Sequence, residues 1–234
     1  MTKVFENITE LTESVFQEIH FSLNQQTKIN IAISGGTTPA AIFELLAKNF
    51  FDKLDWKRIN FFWVDERCVP SSHPDSNYGM TKKTLLNHIQ IPPQNIHPIN
   101  CGENVQAEIE RYSEEIKLLL PMENKFPRFD LIFLGLGSDG HTASIFPNQI
   151  ELMTAKDICA LSNHPQTNQK RITLTGKVIN NSRKIIFIVT GKSKSLIIKN
   201  IFEKRSEYRL PAEFIRPAEG TLDWFLDIEA ASLL

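Results

Sequence analysis

An acid, a histidine and two hydroxyl side chains fall within six positions near the middle of the chain, at Asp139, His141, Thr142 and Ser144. Histidine changes its protonation near neutral pH, so it can accept a proton in one step of a reaction and return it in another. The spacing therefore predicts an active-site loop for general acid–base chemistry, with His141 as the candidate base.

The segment before this loop indicates how the loop would be positioned. Residues 130–134 contain a short apolar run without polar alternation, which is typical of a strand buried on both faces of a parallel sheet. Gly135, Gly137 and Gly140 follow, and they also match the G-x-G-x-x-G pattern of dinucleotide-binding proteins. That pattern requires a long helix, and Pro147 comes too early for one. We therefore do not predict nicotinamide binding.

A second glycine-rich loop, at residues 34–39, follows an apolar strand predicted at residues 28–33. We expect Thr38 to cap the next helix and Pro39 to occupy its first position. Backbone N–H groups at such a junction can bind an anion, usually phosphate, with help from the helix dipole. The same residues would also suit a tight turn with a helix cap, and both interpretations remain open for this loop alone.

Two more apolar strands, at residues 59–64 and 184–189, end in charged loops. Asp65, Glu66 and Arg67 follow the first, where charges are costly unless they are solvated or paired. Lys194 lies in the loop after the second. Taken singly, each loop could be an ordinary exposed turn with a salt bridge.

The four predicted strands alternate with helical patterns, so right-handed crossovers should make them parallel and bring their loops to one edge of the sheet. The predicted fold class is α/β, a mostly parallel doubly wound sheet with helices on both faces, in a single domain spanning residues 1–234. The shared edge would combine an anion cradle with acids, cations and one base, which favours a phosphorylated small molecule as ligand. The residues brought together would be Gly35, Gly36, Thr37, Asp65, Glu66, Arg67, Asp139, His141 and Lys194.

Further elements follow from hydrophobic periodicity and breaker residues. We predict helices at 7–24, 78–89 and 104–120, an extended connector at 91–100, an irregular surface stretch at 148–170, a strand at 171–175 followed by a short helix, a strand near 222–226, and a terminal helix.

Composition excludes several classes of function. The net charge is −1, so nothing favours a nucleic acid or an anionic membrane as partner, and no apolar run reaches the length of a membrane span. The acidic, amphipathic N-terminus is unlike a signal peptide, which predicts a cytoplasmic protein. Cys68, Cys101 and Cys159 are widely spaced and odd in number, so we expect reduced thiols rather than a disulfide framework.

The motifs together resemble the 6-phosphogluconolactonases that share a fold with glucosamine-6-phosphate isomerases. The matching segments are SGGTTP at 34–39, DERCVP at 65–70, SN at 76–77, LGLGSDGHTASIFP at 134–147, RITLT at 171–175, GKSK at 191–194 and LPA at 210–212. After DGH the isomerases usually continue IAFNEP, whereas this chain has TASIFP, the lactonase continuation. Asn148 and Ser195 depart from the family pattern, and both lie beside the motifs rather than within them.

The resemblance implies hydrolysis of 6-phospho-D-glucono-1,5-lactone to 6-phospho-D-gluconate in the oxidative pentose phosphate pathway, without a metal or another cofactor. His141 would be the general base and then the acid, and Asp139 is the candidate for orienting it. The role of Asp65 stays open among proton transfer, fixing Arg67 and binding sugar hydroxyls. By resemblance, the phosphate and sugar contacts are Gly35, Gly36, Thr37, Arg67, Arg171 and Lys194.

Two alternatives share this fold. One is an isomerase acting on an amino-sugar phosphate, which the TASIFP continuation disfavours. The other is a non-catalytic sugar-phosphate sensor of a transcription regulator, but the chain has no segment for a DNA-binding helix-turn-helix before its first predicted strand, and its charge is near zero.

Overall fold

The computed structural model describes residues 1–204 and 209–234. In chain order the strands are β1 (Thr2–Phe5), β2 (Ile29–Ile33), β3 (Ile59–Trp63), β4 (Asp65–Arg67), β5 (Ile96–His97), β6 (Met122–Glu123), β7 (Phe126–Pro127), β8 (Leu131–Leu134), β9 (Cys159–Asn163), β10 (Lys170–Leu174), β11 (Lys184–Val189) and β12 (Thr221–Asp227). The helices are α1 (Ile8–Gln25), α2 (Thr37–Asn49), α3 (Asn77–Thr84), α4 (Val105–Leu119), α5 (Gly176–Asn180) and α6 (Ser195–Glu203). None of the helices in this described part combines the length and apolar character needed to cross a membrane.

The main sheet has seven strands in the order β1-β12-β11-β8-β2-β3-β5, and every pairing in it is parallel. The four strands predicted to carry the site, β11, β8, β2 and β3, are direct neighbours at its centre. All residues of β2, β3 and β8 are buried. Their continuous apolar runs are explained by this burial on both faces, and the predicted parallel α/β fold is confirmed.

A second, antiparallel sheet has three strands in the order β4-β10-β9. Only Val64 separates the end of β3 from the start of β4, so the chain passes almost directly from the main sheet into the second one. The register places Arg171 opposite Arg67 and Thr173 opposite Asp65. This small sheet therefore joins two segments that are about a hundred residues apart in sequence at the carboxyl end of β3.

Several predicted elements differ from the structure. The sequence does not predict six of the strands, all of which are short and lie at the edges of sheets, where no clear alternation marks them: β1, β4, β5, β6, β7 and β9. The expected terminal helix is wrong: the residues after β12 form turns. The helix predicted at 78–89 ends at Thr84 and is followed by a separate 3₁₀ turn. The expected cap at Thr38 is also wrong, because α2 begins at Thr37 with Gly36 as its N-cap.

The expectation of three reduced thiols is wrong for two of them. Cys68, immediately after β4, forms a disulfide with Cys101, in the loop before α4, and their Cα atoms are 4.7 Å apart. Cys159 is free and buried. The sequence does not predict this disulfide, because thirty-three positions separate the two cysteines. Their proximity depends on the path of the chain between β4 and α4.

Candidate active site

The loops after β2, β3, β8 and β11 meet at one edge of the main sheet and line a cleft of about 250 Å³. This is the convergence that the parallel strands predict. The cleft wall includes eight of the nine candidate catalytic and binding residues named with the family resemblance, namely Gly35, Gly36, Thr37, Asp65, Arg67, His141, Arg171 and Lys194. The ninth, Asp139, lies behind the ring of His141 and contacts it directly.

Asp139 and His141 form a hydrogen-bonded pair at the cleft. The Oδ1 atom of Asp139 lies 2.5 Å from Nδ1 of His141 and also accepts the backbone N–H of His141 at 3.1 Å. Partial burial raises the pKa of Asp139, but the hydrogen bonds and the charge of the imidazole outweigh that effect, and the net pKa is lowered. An ionised carboxylate only accepts hydrogen bonds, so Nδ1 of His141 donates to it, and in the neutral form of the imidazole the lone pair then lies on Nε2.

The Nε2 atom of His141 has no hydrogen-bond partner within the described part of the chain. The imidazole packs against Phe146, with ring centroids 4.7 Å apart, and the aromatic ring limits how far it can rotate. The side chain of His141 keeps 26% of its surface exposed. Asp139 orients the imidazole through Nδ1, and Nε2 is accessible from the cleft. A base arranged in this way can remove a proton from a water molecule in the cleft.

Gly137 allows this pair to form. A Cβ atom at Gly137 would lie 2.1 Å from Nδ1 of His141 and 2.6 Å from Oδ1 of Asp139, which is closer than any real contact. The backbone also closes here, because the N–H of Gly137 donates to the carbonyl of His141 at 2.8 Å. The second glycine of the G-x-G pattern therefore makes space for the Asp–His pair.

Asp65 is buried, with 5% of its surface exposed, and it does not fix Arg67, which was one of the roles open to it from the sequence. Its Oδ2 atom accepts the hydroxyl of Ser144 at 2.5 Å, and the side-chain amide of Asn77 donates to its backbone carbonyl at 2.8 Å. Asp65 does not pair with Arg67, whose guanidinium donates instead to the carbonyl of Asp75. The carboxylate thus belongs to a polar network in the wall of the cleft.

Arg67 and Arg171 are cross-strand partners on β4 and β10. Two like charges facing each other across a strand pair are unfavourable, so their juxtaposition suits a site that receives an anion. Desolvation by burial lowers the pKa of Arg171, and the positive charge of Arg67 adds to this effect. The Nε atoms of both arginines are buried without a hydrogen-bond partner.

The N-terminus of α2 and Lys194 supply further positive potential. No side chain caps α2, so the first N–H groups of its thirteen-residue length have no side-chain acceptor. Lys194 lies in the same cleft, and burial lowers the pKa of its ammonium, an effect that the charge of Asp139 partly offsets. An uncapped helix N-terminus beside a desolvated cation is an arrangement that binds phosphate.

Three residues near the site, Glu66, Asn77 and Ser144, are noted in the sequence only as members of their motifs, without a role of their own. Glu66 is buried and accepts the N–H groups of Arg67, Asn77 and Tyr78 at 2.8 Å each, so it ties β4 to the start of α3. Burial raises the pKa of Glu66, and these hydrogen bonds counteract only part of that effect. Asn77 packs so closely on Gly35 that a Cβ there would lie 1.8 Å from its Oδ1. Ser144, the third, contacts Asp65. The SN pair at 76–77 was the available signal for Asn77.

Comparison with known proteins agrees with this geometry. The model of the family "Glucosamine-6-phosphate isomerases/6-phosphogluconolactonase" matches residues 4–224. The chain is 37% identical to a 6-phosphogluconolactonase of Haemophilus influenzae over 98% of both chains. It is 39% identical to a 6-phosphogluconolactonase of Treponema pallidum, over 85% of this chain and 82% of the relative. The solved structure of 6-phosphogluconolactonase from Trypanosoma brucei superimposes with a TM-score of 0.88 at 32% identity, covering 100% of this chain and 98% of that one.

Proposed function

This chain belongs to the family of glucosamine-6-phosphate isomerases and 6-phosphogluconolactonases, and we propose that it hydrolyses 6-phospho-D-glucono-1,5-lactone to 6-phospho-D-gluconate. One observation carries the proposal: His141 is oriented by Asp139, its Nε2 atom has no partner among residues 1–204 and 209–234, and it lies at a cleft lined by three cationic side chains. The full-length similarity to curated 6-phosphogluconolactonases supports the same activity. The proposed reaction belongs to the oxidative pentose phosphate pathway.

The proposed mechanism has two proton transfers through His141. First, Nε2 removes a proton from water while the water oxygen attacks the lactone carbonyl carbon, giving a tetrahedral intermediate and an imidazolium. Then the bond between that carbon and the ring oxygen breaks, and the imidazolium donates its proton to the departing ring oxygen. The products are the carboxylic acid, which ionises, and a free hydroxyl. Asp139 holds the Nδ1–H throughout and stabilises the imidazolium.

The phosphate and sugar contacts in this proposal are Gly35, Gly36 and Thr37 at the start of α2, together with Arg67, Arg171 and Lys194. A phosphate dianion would relieve the repulsion between the two cross-strand arginines and satisfy backbone N–H groups at the helix terminus. Binding energy from this end of the substrate would hold the lactone carbonyl near His141.

The direct test is the decay of fresh 6-phosphogluconolactone with purified protein, measured against the spontaneous rate. Glucosamine 6-phosphate serves as the second substrate, because an isomerase of the same fold would act on it. Acceleration of lactone decay without conversion of the amino sugar supports the proposal. No acceleration at any enzyme concentration would contradict it.

We predict that Arg171→Ala and Lys194→Ala mainly weaken the binding of the phosphorylated substrate. A cation that holds the phosphate equally in the ground and transition states contributes to KM more than to kcat. Loss of a hydrogen bond to a charged group should raise KM roughly tenfold or more. Unphosphorylated glucono-1,5-lactone is the control: equal losses on both lactones would show that these residues do not contact the phosphate.

We also predict that EDTA leaves the activity unchanged. The proposed steps use only a histidine and an acid, and no cluster of His, Cys, Asp and Glu suited to a metal ion occurs among residues 1–204 and 209–234. Activity is measured before and after dialysis against the chelator. Complete loss in EDTA that a divalent cation restores would overturn the metal-free mechanism.

We propose a cytoplasmic location, in keeping with a sugar-phosphate substrate of central carbon metabolism. The Cys68–Cys101 disulfide is unusual for that compartment, where thiols are normally kept reduced. Titration of free thiols in protein purified without reductant would reveal which state the two cysteines adopt.

A further inference from the structure

The hydroxyl of Ser144 lies between two groups of opposite charge. It is 2.5 Å from Oδ2 of Asp65 and 3.3 Å from Nη1 of Arg171, and Ser144 is completely buried. A guanidinium only donates hydrogen bonds and a carboxylate only accepts them, so the direction of both bonds is determined. Arg171 donates to the oxygen of Ser144, and Ser144 donates its own proton to Asp65.

The backbone of Ser144 is held on both sides. Its N–H donates to the hydroxyl of Thr173 at 3.2 Å, and its carbonyl accepts the hydroxyl of Ser162 at 2.5 Å. Thr173 lies opposite Asp65 in the antiparallel sheet. The backbone of Ser144 is therefore anchored to both β9 and β10, so the contact with Ser162 can be lost while the two hydrogen bonds of the Ser144 hydroxyl remain.

Among the residues that the structure describes, the guanidinium of Arg171 has two other contacts, neither of them with a charged group. Its Nη2 reaches Oε1 of Gln169 at 3.4 Å, and its guanidinium carbon lies 5.5 Å from the ring centre of Phe146. Arg67, its cross-strand partner, repels it. Asp65 is the nearby group whose charge attracts Arg171 most strongly, and the link between them runs through Ser144. Without that hydroxyl, the repulsion from Arg67 would favour a guanidinium turned away from the cleft.

We infer that Ser144 is a positioning residue, which couples the buried carboxylate of Asp65 to Arg171 and so holds the guanidinium where it receives the anionic group of the substrate. This inference rests on the proposed function and extends it. It also assigns a role to Asp65, which acts as the fixed counter-charge of Arg171 through Ser144 rather than as a second base.

The test compares Ser144→Ala with Ser162→Ala. Both variants lose one fully buried hydroxyl from the same network, but only the first removes the bridge to Arg171. Both should melt at lower temperature than the wild type. We expect Ser144→Ala to raise KM for 6-phosphogluconolactone about tenfold with kcat retained, and to weaken calorimetric binding of 6-phosphogluconate by the same factor. Ser162→Ala should keep both affinities.

A second comparison uses the Arg171→Ala background. If Ser144 acts through Arg171, adding Ser144→Ala to Arg171→Ala should not weaken 6-phosphogluconate binding any further. A further loss of similar size in this background would overturn the inference, and so would equal effects of Ser144→Ala and Ser162→Ala. If Ser144→Ala does not fold, Ser144→Cys keeps the size of the side chain with a weak donor, and the same comparisons apply.

The tests of Ser144 can fail or succeed independently of the test of the proposed lactone hydrolysis. A wild-type protein that binds 6-phosphogluconate but does not accelerate lactone decay would contradict the proposed hydrolysis, while the binding measurements would still test Ser144. Conversely, an active wild type with an unaffected Ser144→Ala variant would contradict only the role of Ser144.

Discussion

Replacing His141 by asparagine is expected to lower kcat by roughly a hundred- to ten-thousand-fold, the usual contribution of a well-placed general base. Asparagine keeps a polar side chain of similar reach but cannot accept the proton from water. Because His141 would act on the reacting carbonyl rather than on the phosphate, KM should change little. The measurement is kcat and KM for 6-phosphogluconolactone, with the spontaneous decay subtracted.

The pH dependence provides an independent readout for the same residue. The wild-type rate should fall on acidification, because a protonated imidazole is no longer a base. Asp139, whose pKa is lowered mainly by its bonds to His141, stays ionised further into the acid range than an unpaired aspartate. The acid limb should therefore report the imidazole and disappear in His141→Asn. A folded His141→Asn protein with wild-type kcat and an unchanged acid limb would remove His141 from the mechanism.

Thermal stability separates this role from a structural one. If His141 only braced the loop between Gly140 and Thr142, the variant would lose stability together with activity. The Asp139–His141 pair is partly exposed, with side-chain exposures of 38% and 26%. We therefore expect little change in the melting temperature of His141→Asn, because exposed pairs contribute little to stability.

The second large effect is expected for Gly137→Ala. The added methyl group would lie 2.1 Å from Nδ1 of His141 and 2.3 Å from its Cε1, so the imidazole and Asp139 must move by an ångström or more. Misplacement of a catalytic group by about 1 Å can cost around a hundredfold in rate. We expect kcat to fall by that order, with the phosphate contacts and therefore KM largely kept.

The matched control is Gly135→Ala, in the same glycine-rich loop. Gly135 also lines the cleft, but a Cβ atom there would meet nothing within 4 Å and would leave the Asp139–His141 pair in place, so kcat should stay close to that of the wild type even if KM changes. Both variants reduce the conformational freedom of the unfolded chain in the same way, and a difference between them reports the Asp–His pair. Similar kcat values for the two variants would contradict the role assigned to Gly137.

The sequence by itself determined the framework of this protein. The largely apolar runs that became β2, β3, β8 and β11 favour central parallel strands, because strands covered on both faces can be apolar on both. Once these strands are parallel, their following loops must lie at one edge. This reasoning predicts that the loops of Gly35, Asp65, His141 and Lys194 come together, and the cleft contains all four residues.

Edge strands and turns were harder to predict, because their stability comes from the neighbours they pair with. Strand β9 lies in a stretch that looked irregular, and it forms because β10 offers an unpaired edge. The start of α2 was misplaced for a related reason. Thr38 has the right side chain for a cap, but its hydroxyl bonds instead to that of Thr190, 2.6 Å away in the loop after β11. The Thr38 hydroxyl thus bonds to a residue distant in sequence rather than to the backbone N–H groups of its own helix.

Only the tertiary structure decided how the charged residues are paired. Asp65, Glu66 and Arg67 are consecutive, yet Asp65 bonds to Ser144, Glu66 bonds to the start of α3, and Arg67 faces Arg171. The register of β4 against β10 sets the Arg67–Arg171 pairing, and a shift by one residue would place a different residue opposite Arg67. Sequence periodicity shows which face of a strand is buried, but the partner across it depends on the whole path of the chain between the two strands.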